Sequence, residues 1–298
     1  MKKVLVTGGH GFIGTHLTSF LREAGYSVTT CDVKPPKGSI TPSTICNDVS
    51  VYLKELQTAE NLPALYSGGS TPFNTIIHLA AQPRMGIGVV HPEAVLHNNI
   101  RTLVDVLGYC RQHPKTRLIF ASSSSVKWSN YDRSPYTLSK LIGEQLIQTY
   151  RQTYDLDVTT ARLYNVYGPG ETDYGQWSTL VHQCKINHHT NSPFCIYGTG
   201  EIIRDFTHVA DVVNGFWKIM EEKTLQPEYE LGMGNGSISV MKIVEAFARG
   251  REITFMKSRP WDALITKADA NLWPKGWEPT LNVMDYISNW FEAGSPID

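Results

Sequence analysis

The chain has 298 residues, 41% of them apolar and 18% charged, whereas charged residues usually make up about 25% of a globular protein. That is enough material for a sizeable core and too little charge for disorder. Twenty-seven basic side chains against twenty-eight acidic ones leave a formal charge of −1, so no global field favours nucleic acid or an anionic membrane, and any anion is bound locally.

No apolar run reaches the roughly 18 residues of a membrane helix. Met1-Lys2-Lys3 resembles the start of a signal peptide, but Thr7-Gly8-Gly9 ends the apolar run after Val6, which argues against secretion. The five cysteines (Cys31, Cys46, Cys110, Cys184, Cys195) are odd in number and lack Cys-x-x-Cys spacing. They fit a reducing cytoplasm and read as small hydrophobes.

In chain order, Val4-Leu5-Val6 predicts a strand, a glycine turn follows, and a helix spans 12–24 before Gly25; the strand 27–31 completes a βαβ unit. Further strands are expected at 75–79, 117–121 and 158–163, with helices at 93–112 and 136–154. Apolar runs alternating with helical segments predict a doubly wound parallel sheet of the Rossmann type. Stretches 34–44 and 67–72, rich in Pro, Gly, Ser and Thr, read as surface loops. After Asn165 come a Gly168-Pro169-Gly170 turn and shorter pieces, including strands near Cys195 and Phe206, which predict a smaller C-terminal α/β domain. The expected division is 1–165 with a returning segment near 205–235, against 166–204 and 236–298. His188-His189 reads as a solvated pair in a polar loop.

The run Thr7-Gly8-Gly9-His10-Gly11-Phe12-Ile13-Gly14 leaves the first strand and opens the first helix. Gly8 suits a tight turn, Gly11 a close approach of backbone to pyrophosphate, and Gly14 the packing of helix on strand; the helix N-terminus supplies free N–H groups. This predicts a dinucleotide. Asp32, 18 positions after Gly14, can accept both adenosine ribose hydroxyls and repel a 2′-phosphate, which selects NAD over NADP. Asp48 suits either contact with the adenine amino group or a helix N-cap.

Tyr136-Thr137-Leu138-Ser139-Lys140 places Tyr136 and Lys140 on one helix face. Moving a tyrosine from pKa ~10 to ~7 needs about 4 kcal/mol, of which a Lys140 ammonium at ~5 Å and an effective dielectric of ~20 supplies roughly 3 kcal/mol. Upstream, the strand Arg117–Ala121 runs into Ser122-Ser123-Ser124-Ser125, where Ser123 can relay a proton to Tyr136.

With these motifs in place, the chain resembles the extended short-chain dehydrogenase/reductase family, the NAD-dependent epimerases and dehydratases of nucleotide sugars. The likeness also rests on His78-Leu79-Ala80-Ala81-Gln82, Asn98-Asn99, Arg162-Leu163-Tyr164-Asn165-Val166-Tyr167-Gly168-Pro169, Arg204-Asp205-Phe206-Thr207-His208-Val209-Ala210-Asp211-Val212, Arg259-Pro260-Trp261-Asp262, Ala268-Asp269 and Gly276-Trp277-Glu278-Pro279. The resemblance implies catalysis by Ser123, Tyr136 and Lys140. It implies NAD held by Gly8, Gly11, Phe12, Ile13, Gly14, Asp32, Asp48, Leu79, Ala80, Ala81, Asn99, Tyr136 and Lys140, with Asn99 stabilising the lysine's surroundings. Ser124, Asn165, Arg204 and Arg259 would hold the substrate, the last three gripping its diphosphate. A homodimer through the helices near 93–112 and 136–154 is the family habit, and no metal is expected.

Departures from the family pattern guide the choice of reaction. The dehydratase branch carries an Asp-Glu pair where this chain has Ser124 and Ser125, and the decarboxylating branch tends to place a glutamate at Ser125. The expectation is therefore 4-epimerisation of a UDP-hexose or UDP-hexuronate, by transient hydride transfer to tightly bound NAD. A dehydratase, decarboxylase or reductase of the same family, or a silent NAD sensor, are the rival readings. The family's Val-Tyr-Gly reads Val126-Lys127-Trp128, and only 13 positions separate Ser123 from Tyr136, a short lip that predicts an open mouth. Trp261 replaces a familiar glycine. Thr266 falls where certain epimerases control room for an N-acetyl group, and a small side chain there would admit larger sugars.

Overall fold

The computed structural model describes residues 1–36, 43–60, 72–128, 134–173, 175 and 178–296. Most of the loop expected at 34–44, nearly all of that at 67–72, and the lip at 129–133 lie outside the described residues. The first half comprises β1 (Lys3–Thr7), α1 (Phe12–Glu23), β2 (Ser27–Asp32), β3 (Thr44–Cys46), α2 (Val49–Glu60), β4 (Thr75–His78), α3 (Met85–Val90), α4 (Pro92–Gln112), β5 (Arg117–Ser123), α5 (Ser125–Trp128), α6 (Pro135–Tyr154) and β6 (Val158–Leu163). The second comprises β7 (Val166–Tyr167), α7 (Leu180–His189), β8 (Phe194–Tyr197), β9 (Ile203–Arg204), β10 (Thr207–His208), α8 (Val209–Glu221), β11 (Glu228–Leu231), β12 (Ile238–Ser239), α9 (Val240–Ala248), β13 (Ile253–Met256) and α10 (Val283–Glu292).

Seven strands form one sheet in the order β11-β6-β5-β4-β1-β2-β3, every neighbouring pair parallel. Alternation along the buried strands divides the core. Val4, Val6, Ile77 and Ile119 face α1 and α8 through Leu17, Leu21, Val212 and Phe216. Leu5, Ile76, Leu118 and Phe120 face α2, α4 and α6 through Leu53, Leu103, Leu107 and Ile147. A third core gathers α7, β8, α9 and α10 around Val181, Phe194, Phe247 and Trp290. β11 joins the sheet although the chain has run through β7–β10 since leaving β6.

Two local readings need correction. Cys31, Cys110 and Cys184 are buried, but Cys46 and Cys195 are exposed, so those two do not behave as core hydrophobes. His188 and His189 end a helix rather than sitting in a polar loop, and their rings meet Trp290 edge-on at 5.4 and 5.6 Å between centroids. None of the helices in the described residues is long and apolar enough to cross a membrane.

Candidate active site

The turn after β1 needs glycine at two positions. Gly8 has φ of 70°, and a Cβ there would stand 2.8 Å from the Ala80 nitrogen. At Gly14 a Cβ would overlap the Gly8 carbonyl oxygen, so the helix lies directly on the turn. Gly11 is the N-cap of α1 and offers no side-chain acceptor, which leaves the N–H groups around Phe12 and Ile13 available to an anion. This cradle fits the pyrophosphate of a dinucleotide.

The surroundings fit the same group. Asp32 ends β2, and its carboxylate accepts the backbone N–H of His10 at 3.1 Å and of Lys34 at 3.0 Å, which fixes its position beside the cradle. Leu79 N donates to the Thr7 carbonyl at 3.0 Å and Ala80 N to Thr7 Oγ1 at 3.4 Å, laying Leu79-Ala80-Ala81 across the Gly8 turn. Asp48 makes the capping contact of its two expected roles: it accepts Ser50 N at 2.8 Å and pairs with Arg101 at 2.7 Å.

The catalytic candidates meet where β5 leaves the sheet. Ser123 is the last residue of β5, and Tyr136 and Lys140 rise from the first two turns of α6. That helix is capped by Ser134, whose side chain accepts Thr137 N at 3.2 Å. Burial pushes the Tyr136 phenol above its ordinary pKa, while a hydrogen bond from Ser123 and the Arg84 guanidinium pull the other way. Lys140 Nζ, from which this tuning is expected, lies 6.0 Å from the Tyr136 ring centroid and donates to the Ala121 carbonyl at 2.7 Å. Lys140 is 4% exposed, and burial draws its ammonium down to about 8, with Glu144 opposing.

Asn99 bonds to Ser139, the residue before Lys140. Its amide accepts Gln82 N at 2.7 Å and donates to the Gln82 carbonyl at 3.3 Å and to Ser139 Oγ at 3.0 Å. It therefore clamps the segment after β4 to α6 and acts on the lysine only through its neighbour.

A cavity of about 260 Å³ gathers Arg84, Asn165, Tyr197, Arg204, Arg259 and Asp262. Asn165 donates to the Asp205 carbonyl at 2.7 Å. Arg204 donates to the Ala263 carbonyl at 2.7 Å and stands 3.8 Å from Asp262, and the Arg259 guanidinium lies 3.6 Å from the Tyr197 ring centroid. Three arginines thus line one cavity whose walls also include Val181, Ile196, Phe206 and Trp261, and guanidinium groups are suited to a diphosphate. Ser124 lies elsewhere: it is buried, and its backbone N–H donates to the Leu163 carbonyl at 2.9 Å. Thr266 does not line the cavity. It is 4% exposed, and its hydroxyl accepts Asp205 N at 3.1 Å and Asn165 Nδ2 at 3.4 Å.

Sequence reasoning missed Arg84, which carries a φ of 83° and lines the cavity. Its one signal was its place two residues beyond Gln82. Glu171 was also missed; it accepts from Thr179 Oγ1 and, at 3.3 Å, from Gly168 N. Burial raises its carboxyl to about 7 against those bonds and the charges of Lys185 and Arg84.

The profile of the NAD dependent epimerase/dehydratase family matches residues 4–232. The chain belongs to that family. It is 31% identical to an uncharacterized UDP-glucose epimerase of Bacillus subtilis over 96% of both chains. It is 32% identical to UDP-glucuronate 4-epimerase 1 of Arabidopsis thaliana over 71% of its own length, spanning 53% of the plant protein. Among solved structures, MoeE5 in complex with UDP-glucuronic acid and NAD superposes with a TM-score of 0.79 at 26% identity, over 98% of this chain and 99% of that one. The UDP-N-acetylglucosamine 4-epimerase of Methanobrevibacter ruminantium shares the fold, with a TM-score of 0.83 at 22% identity over 98% and 99%.

Proposed function

We propose that this member of the family is a UDP-sugar 4-epimerase acting on a UDP-hexose or UDP-hexuronate. The observation that carries this choice is the composition of the serine turn. Ser123 ends β5 and draws the Tyr136 phenol down against its burial, and the next two positions hold buried Ser124 and Ser125 where elimination would need carboxylates. Tyr136 with Ser123 can take a proton from a sugar hydroxyl and return it, whereas expelling water would need a further acid or base, which the two serines do not supply.

NAD would lie along Gly8, Gly11, Phe12, Ile13 and Gly14, with Asp32 on the adenosine ribose, Leu79-Ala80-Ala81 beside it, and Lys140 at its nicotinamide end. When bound, it supplies a two-electron acceptor that is restored within each turnover. As a phenolate, Tyr136 would take the C4 hydroxyl proton onto its phenolic oxygen, which is neutralised in that step, and the Ser123 hydroxyl would stabilise the phenolate beforehand by donating to it. Asn165, Arg204 and Arg259 hold the diphosphate, so the sugar can turn between its two faces without leaving. The substrate would lie between residues 1–165 with 205–235 and the remainder of the chain. The two helices α4 and α6 would form a homodimer face, and the five free cysteines suit a cytoplasmic setting.

Incubation with UDP-glucose, UDP-glucuronate and dTDP-glucose tests the reading. A product of unchanged mass with inverted C4 by NMR is expected, and a product lighter by water or carbon dioxide, or heavier by two hydrogens, overturns it. The sensor alternative requires that none of the three be converted.

A further inference from the structure

We propose that Lys127 is a positioning residue for this site: through buried Glu230 it anchors the short helix α5 and thereby aims the Ser123 hydroxyl at Tyr136. The inference rests on the proposed reaction for its kinetic readout and on the structure for its geometry.

Ser123 does not orient itself. Its oxygen accepts Ser125 N at 3.2 Å and Ser125 Oγ at 3.0 Å, which leaves its own proton for the phenolic oxygen. Ser125 opens α5, a helix of four residues and so too short to be stable unaided. Within the turn, Lys127 N and Trp128 N both reach the Ser124 carbonyl, at 3.1 and 3.2 Å. The serine turn is tied to β6 by the Ser124 N–H on the Leu163 carbonyl at 2.9 Å, and α5 to β11 by Lys127 Nζ, which lies 3.1 Å from Glu230 Oε1 and 3.4 Å from Oε2.

Glu230 is a firm anchor. Its side chain is 0% exposed, against 34% for Lys127, and it sits on β11 with Asp269 N donating at 2.7 Å. Its other cation, Arg162, is largely committed: Arg162 meets Glu144 at 2.6 Å and Glu228 at 2.7 Å, and reaches Glu230 only at 3.5 Å. Three carboxylates thus share two cations, and removing Lys127 leaves three around one guanidinium. The far end of the cluster returns to the site, because Ser122 Oγ donates to Glu144 at 2.6 Å. The serine turn is therefore held on both sides by one ionic cluster, with Lys127 its member on α5.

The test compares Lys127→Met and Lys127→Arg in the NAD-loaded protein. A displaced catalytic hydroxyl costs up to about 100-fold in rate, so Lys127→Met is expected to lower kcat about 10- to 100-fold, with KM changed less than about twofold, and bound NAD retained. Lys127→Arg restores kcat to within about threefold, since a guanidinium can also pair with Glu230. Tyrosine ionisation, read as the ultraviolet difference between each protein and its Tyr136→Phe counterpart, is expected to move to higher pH in Lys127→Met. Arg84 and Lys140, the cations near the phenol, are unchanged in that comparison. A kcat within about twofold of the parent, a loss confined to KM, or an unmoved tyrosine ionisation overturns the inference. If Lys127→Met does not fold, Lys127→Met with Glu230→Gln, which removes both charges, is read by the same criteria. If the parent converts no nucleotide sugar, the proposed reaction fails, while the tyrosine titration still decides the role of Lys127.

Discussion

Gly88 lies directly against Tyr136: a Cβ on Gly88 would stand 2.9 Å from the Tyr136 nitrogen and 3.2 Å from its Cβ. Helix α3 therefore acts as a stop that seats the start of α6. Gly88→Ala is expected to push Tyr136 away from Ser123 and lower kcat by about 10- to 100-fold, with NAD content unchanged because the cradle lies on α1. Single-turnover kinetics beside cofactor extraction checks this, and full activity in the variant would show that α3 yields to α6.

Tyr136→Phe removes the proton acceptor and keeps the ring. Loss of an acid–base group costs about 100- to 10,000-fold, so kcat should fall by that order while NAD remains bound. Steady-state rates and the absorbance of released cofactor give both readouts. Retained turnover would move the base elsewhere.

His78 is buried, with its ring nitrogen Nδ1 2.7 Å from Thr7 Oγ1. Burial, helped by the charge of Lys140, pushes its pKa down to about 3. Between that value and the ordinary one near 6.5, the unfolded chain binds a proton that the folded chain does not, so this group makes stability rise with pH across that window. Glu171, raised to about 7, works in the opposite sense between its ordinary value and 7. The difference between parent and His78→Asn isolates the histidine. Urea unfolding should show the parent losing up to about 1.4 kcal/mol per pH unit relative to the variant as pH falls from 6.5 toward 3; parallel curves would show that the ring is not held neutral.

The Arg259 guanidinium lies 3.6 Å from the Tyr197 ring centroid, and both residues line the cavity. Arg259→Ala removes one of three guanidinium groups and is expected to raise KM for a nucleotide-diphosphate sugar about 10-fold or more, since a charge-assisted hydrogen bond contributes about 1.5–3 kcal/mol, with kcat less affected. Binding of UDP by calorimetry should weaken in parallel. An unchanged KM would place the diphosphate away from Tyr197.

The parallel strands were legible because strands covered on both faces are rich in apolar and β-branched residues: Val4-Leu5-Val6, Thr75–His78 and Val158–Leu163 could be read directly. β3 escaped because it has three residues at the sheet edge. β11 escaped because Glu228 and Glu230 make it look polar, and the partners that justify those charges, Arg162 and Lys127, are distant in sequence. The same limit applied in the site. Tyr136 and Lys140 share a helix face, which spacing gives, but Lys140 turns to Ala121 and Asn99 to Ser139 and Gln82. Those choices depend on burial and on competing acceptors, and neither is written in local spacing.

The late arrival of β11 has a consequence during synthesis. The partner of β6 is encoded 65 residues downstream of its last residue, from Leu163 to Glu228. At the ribosomal pace of about 5–20 residues per second, β6 waits several seconds or more before that partner is made. During this interval its outer backbone groups are open to pairing with another nascent chain, and the Arg162 guanidinium has only Glu144 to meet. The interval is the stage of biogenesis at which a chaperone that shields a strand edge has most to offer this protein.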